Sequence, residues 1–140
     1  MLQIEESQLD RIRRIAEDAY PHECCGILAG RVEGSVKVVE TLIDARNQRT
    51  DRPENRYLIS AELVHEVEKK LRETGRSIVG FFHSHPDVAA RPSAYDREQA
   101  WPWYSYLIVS VKKGEAGSLL CWRLRDDRSA FDSEELNSQA

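Results

Sequence analysis

A chain of 140 residues is long enough for one domain of ordinary size and too short for two. Hydrophobic residues make up 41% of it, enough for a core, and the 31% that are charged imply a well-solvated surface. A net charge of -4 excludes a nucleic-acid binder that works by neutralising phosphates, and it gives an anionic membrane nothing to attract.

The opening MLQIEESQLD is acidic and polar, unlike a secretory signal, and no apolar run approaches the roughly 20 residues of a bilayer span. Ser7 to Tyr20 is predicted as an amphipathic helix. Leu9, Ile12, Ile15, Ala16 and Ala19 recur at three- and four-residue spacings, Ser7 is the expected N-cap, and Pro21 ends it. Cys24 to Arg31, a turn at Glu33-Gly34 and Val36 to Ile43 form a hairpin. Two adjacent cysteines and a distant Cys121 make no disulfide framework, so a reducing, cytoplasmic setting is expected.

Asp44 to Asn55 reads as a loop of a length more often functional than decorative, and Arg56 to Ile59 as a short strand. Ser60 caps a second helix, to about Thr74, that buries Leu63, Val64, Val67 and Leu71, and Gly75 stops it. Ser77 to Phe82 (SIVGFF) is predicted as a buried strand. Pro86 and Pro92 should break regular structure from His83 to Pro92. A short helix then runs from Ser93 to about Ala100, and Trp101-Pro102-Trp103 interrupts. Strands Tyr104 to Val111 and Ser118 to Arg125 follow, joined near Gly114 to Gly117. A turn falls at Asp126-Asp127, and the polar tail from Asp132 is expected to fray. The order implies one domain over 1–140: an α/β sandwich, with a mixed sheet flanked by helices.

Chemistry gathers where SIVGFF runs out. In extended backbone, residues two apart share a face, so His83 and His85 can converge while Ser84 points away. Asp96, brought back by the proline-bearing loop, supplies a carboxylate. Two imidazoles and a carboxylate leave a fourth position for water, the pattern of catalytic rather than structural zinc. A His-x-His pair alone is weak evidence, and Ser93 with Asp96 also reads as a helix capping box; the two roles are compatible. Glu23 alone would pass for a solvated residue, and His22 for a turn histidine. Cys25, followed by Gly-Ile-Leu-Ala, reads as a buried small hydrophobe rather than a nucleophile. His65 receives no role.

Together PHECCGILAG and HSHPDVAARPSAYD closely resemble the JAMM (MPN+) motif: a glutamate, His-x-His, seven residues, Ser, two residues, Asp. The positions are Glu23, His83, His85, Ser93 and Asp96, and the likeness runs from the first helix through YSYLIVSV. The resemblance implies an MPN-like, cytidine-deaminase-like fold and a metallopeptidase. One zinc would sit on His83, His85 and Asp96. Glu23 would act as the general base toward the attacking water, and Ser93 would share the oxyanion. The chain lacks the length for the insertions of eukaryotic deubiquitinases and is similar to the compact prokaryotic branch. That branch implies a substrate: a ubiquitin-like sulfur-carrier protein cut after its C-terminal Gly-Gly. A metal site beside a sheet edge would take such a tail by strand addition. Two alternatives stand beside this one, a non-catalytic scaffold of the same fold and a RadC-like protein. Ser84 where the latter has Asn leans against it. Oligomeric state and the leaving group stay open.

Overall fold

The computed structural model describes residues 1–45 and 59–140. Within them the chain runs β1 (Leu2–Glu5), α1 (Glu6–Ala19), β2 (Cys25–Glu33), β3 (Val36–Asp44), α2 (Ala61–Arg72), β4 (Ser77–Pro86), α3 (Ala94–Gln99), β5 (Ser105–Lys112), β6 (Glu115–Leu124), β7 (Phe131–Ser133) and β8 (Leu136–Gln139). The strands form one sheet in the order β7-β6-β5-β4-β2-β3-β1-β8. It is mixed, as expected: β4 and β5 are parallel, as are β1 with β3 and β8, and the other pairs are antiparallel.

The sheet is curled, and α1 shows why. Its stripe of Leu9, Ile12 and Ala16 shares one core with residues of six strands, from Leu2 and Ile4 through Leu28, Leu42, Phe82 and Leu107 to Cys121. Six strands laid flat span about 24 Å at 4.8 Å apart, more than twice the width of a helix. Only a sheet wrapped round α1 brings all of them to it. The outer face carries α2, whose Leu63, Val64, Val67 and Leu71 pack on Ile27, Ile78, Phe81, Tyr106 and Leu124.

Four expectations need correcting. The first helix begins at Glu6, because the Glu5 N–H donates to Gln8 Oε1 at 3.3 Å and makes Glu5, not Ser7, the cap residue. Before it lies β1, unforeseen, with Leu2 and Ile4 buried. The strand SIVGFF does not stop at Phe82 but continues through His83-Ser84-His85 to Pro86, still paired with β5. Proline is tolerated as the last residue of a strand, where no further ladder bond needs its N–H.

The tail is the fourth correction, since its residues are placed in the strands β7 and β8. β7 pairs with β6 and β8 with β1, so the two residues between them cross from one end of the strand order to the other. Glu134 N–H donates to the Cys121 carbonyl at 2.9 Å, and Leu2 N–H to the Glu135 carbonyl at 2.9 Å. The Glu134 carboxylate also accepts from the Ser105 hydroxyl at 2.7 Å, and buried Lys37 donates to the same hydroxyl at 3.1 Å and to the Trp103 carbonyl. The β5–β6 turn falls at Lys113-Gly114, with Gly114 at φ 85°. The short strand expected at Arg56 to Ile59, and the loop beyond Ala45, lie almost wholly outside the described residues.

Candidate metal centre

β4 is an interior strand, flanked by β5 on one side and β2 on the other. It runs parallel to β5, so the chain must cross over from the end of one to the start of the other, and the carboxyl end of a strand at such a crossover is where α/β sheets place ligands. Alternation does the rest. Phe82 and Ser84 face α1, while Phe81, His83 and His85 face the side of α2 and α3.

His83 Nε2 and His85 Nε2 lie 3.3 Å apart. Asp96 Oδ1 is 3.2 Å from the first and Oδ2 is 3.0 Å from the second. Four ligands around zinc at 2.0–2.1 Å would stand about 3.3 Å from one another. The three side chains therefore present a metal-sized triangle, which is the one such cluster among the described residues. Two imidazole nitrogens and a carboxylate suit zinc, so the donor set and the spacing both fit.

The triangle is held from behind. The Ala89 carbonyl can only accept, so His85 Nδ1, 2.8 Å away, carries a proton, and Nε2 is the nitrogen left facing Asp96. Ser93 N–H donates to Asp96 Oδ2 at 2.8 Å, and Asp96 N–H to Ser93 Oγ at 3.1 Å, so the capping box forms and serves the site as well. Burial alone would raise the Asp96 carboxyl, but the two imidazoles and the Ser93 N–H hold it well below the usual range. Burial pulls the His83 imidazole down and outweighs the pull of Asp96. At His85 burial acts in the same sense, but the hydrogen bond and charge of Asp96 prevail and leave it raised.

Register brings in Glu23. Cys25 pairs with His83 across the β2–β4 ladder, and Ser84 N–H donates to the Cys24 carbonyl at 3.2 Å. Glu23, one residue before Cys24, is buried, and its charge acts on the His85 imidazole. His22 is exposed, as a turn histidine should be, and His65 is exposed on α2. Cys24 and Cys25 are buried, and burial pushes the Cys24 thiol up to about 11, which leaves no thiolate at neutral pH.

Sequence reading missed the residues that shape the loop after Pro86. Three successive carbonyls are each bound by a side chain: Val88 by the Ser110 hydroxyl at 2.6 Å, Ala89 by His85, and Ala90 by the Trp122 indole N–H at 2.9 Å. Arg128 donates to the Ala100 carbonyl at 2.8 Å and to those of Arg97 and Glu98, closing the far end of α3. Ser110, Trp122 and Arg128 carry no motif of their own. The one available signal was a polar residue, Ser110, in a strand that otherwise reads as core.

Among the described residues, two strands separate β4 from β7 and three separate it from β8, so the triangle does not lie beside an outermost strand.

Comparison with known proteins agrees with this geometry. The model of prokaryotic homologs of the JAB domain matches residues 5–125. The desampylase of Haloferax volcanii is 36% identical over 106 residues, 75% of this chain and 74% of that protein. Among solved structures, a protein from Desulfitobacterium hafniense aligns with TM-score 0.84 and 30% identity over 99% of this chain and 93% of its own. A JAB1/MPN domain protein from Archaeoglobus fulgidus shares the fold with TM-score 0.62 and 20% identity over 100% and 98%. His83, His85 and Asp96, which could together hold a metal ion, are all buried. The chain belongs to the prokaryotic branch of the JAB/MPN family and is a hydrolase of the JAMM type.

Proposed function

We propose that this protein is a single-zinc isopeptidase or peptidase that cuts the amide bond after the C-terminal Gly-Gly of a ubiquitin-like sulfur-carrier protein. The observation that carries the reading is the metal-sized triangle of His83, His85 and Asp96, with Glu23 buried and its charge acting on His85. The Haloferax relative, a desampylase, supports the substrate class.

Zinc, when bound, supplies a Lewis acid that brings the pKa of a water near 7. His83, His85 and Asp96 would hold it. Glu23 would take the proton of the attacking water at its carboxylate and pass it to the leaving amine, work worth roughly 10²–10⁴-fold. Ser93 is exposed and its oxygen already accepts from the Asp96 N–H, so its own O–H is the group turned to a substrate oxyanion. Glycines before the cut allow a close backbone approach that any Cβ would obstruct.

The test presents carriers ending in Gly-Gly-X, and versions with those glycines changed to Ala or Val, and follows the products by mass spectrometry. Cleavage confined to the Gly-Gly forms is expected. Equal cutting of the Val forms would end the sulfur-carrier reading and leave the hydrolase.

A further inference from the structure

Residues outside the ligand triangle grip the segment carrying Glu23 from both sides. The β2–β4 ladder ends at the Cys25–His83 pair. At the next level the Cys24 N–H donates to the Ser84 hydroxyl at 2.8 Å, while the Ser84 N–H donates to the Cys24 carbonyl at 3.2 Å. One fully buried serine, 60 positions away, thus holds both main-chain groups of the residue beside Glu23. On the other side, the Tyr20 hydroxyl donates to Asp87 Oδ2 at 2.7 Å. Asp87 is in turn fixed, its Oδ1 accepting from the Lys113 N–H at 2.9 Å and its own N–H donating to the Val111 carbonyl at 2.7 Å. Between these two anchors lie only Pro21, His22 and Glu23.

We infer that Ser84 and Tyr20 are positioning residues that hold Glu23 to the metal-bearing end of β4. The inference rests on the role proposed above for Glu23. Its logic is that the ligands come from β4 and α3, whereas Glu23 comes from a separate segment leading into β2. The two anchors hold the main chain on either side of Glu23. Ser84, between two ligands in sequence, turns its hydroxyl to the opposite face and ties the general base to the same strand.

The experiment compares zinc-loaded Ser84→Ala, Ser84→Thr and Tyr20→Phe with the parent chain. It measures zinc per chain, kcat and KM on a Gly-Gly-X carrier, and amide exchange at Glu23 to Cys25. Ser84→Ala should keep its zinc and KM, lose roughly 10–100-fold in kcat, as a misplaced catalytic group does, and exchange faster in this segment. Ser84→Thr, which restores the hydroxyl, should recover activity. Tyr20→Phe removes one oxygen from a half-buried ring, so the fold is not at risk, and should show the same pattern more weakly. Loss of zinc in step with kcat, or unchanged kcat and exchange in both Ser84→Ala and Tyr20→Phe, would overturn the inference. A parent chain that holds zinc but cuts no carrier counts against the proposed substrate instead, and the exchange data still decide whether the anchors hold the segment.

Discussion

His83 Nε2 and Asp96 Oδ1 lie 3.2 Å apart, with 1% and 3% of the two residues exposed. A carboxylate so enclosed needs its partners, because removing one leaves a buried charge uncompensated. His83→Ala and His85→Ala should therefore lose zinc and activity together, while circular dichroism shows helix and strand content nearly unchanged, since the cores around α1 and α2 lie elsewhere. Full zinc occupancy in the double variant would refute the ligand assignment.

Glu23→Gln keeps the size and hydrogen-bonding capacity of the side chain and removes its basicity. Zinc content should stay at the parental level and turnover fall by roughly 10²–10⁴-fold. Near-normal turnover would show that another group takes the proton.

Ser93→Ala separates the oxyanion from the metal. Zinc should remain and kcat fall by about 10²–10³-fold. Loss of the cap on α3 adds a stability cost of about 0.5–2 kcal/mol, visible as a lower melting temperature.

Trp122→Phe tests the loop that carries Asp96 back to the histidines. Without the indole N–H the Ala90 carbonyl loses its donor, and outer partners of this kind are worth roughly 10–100-fold in metal affinity or activity. Zinc affinity measured by competition with a chelator should drop within that range. An unchanged affinity and rate would show that Ser110 and His85 alone hold the loop.

Gly80→Ala addresses the sheet beneath the site. A Cβ there would stand 2.1 Å from the Ser105 carbonyl oxygen, main chain that cannot rotate away. Thermal denaturation should show a loss of at least the 1–3 kcal/mol usual for overpacking.

The parts of this molecule that sequence made legible are those with a local period. The stripe of Leu9, Ile12 and Ala16, the alternation of His83 and His85, and the Ser93–Asp96 box each follow from helix or strand geometry over a few residues. Glu23 became significant only through its likeness to a known motif, because its place depends on a register set by pairing with β4. The tail escaped for a different reason. The exposed polar side chains of β8 hide the main-chain bonds that hold it, and composition cannot report a partner as distant as Leu2. Pro86 misled because its ring forbids a ladder donor but not a final strand residue.

The segment that joins β7 to β8 has a bearing on the order in which the sheet assembles. Leu2 pairs with Leu136, nearly the whole described chain apart, and a contact so remote in sequence forms slowly against the entropy of closing its loop. β4 and β5, by contrast, meet across the short crossover that carries α3. Hydrogen exchange should accordingly find β8 opening at low free energy and β4 near the global limit. The strands that carry the hydrolytic centre would thus outlast the outer rim, and short, polar outermost strands are also poor templates for pairing with another chain.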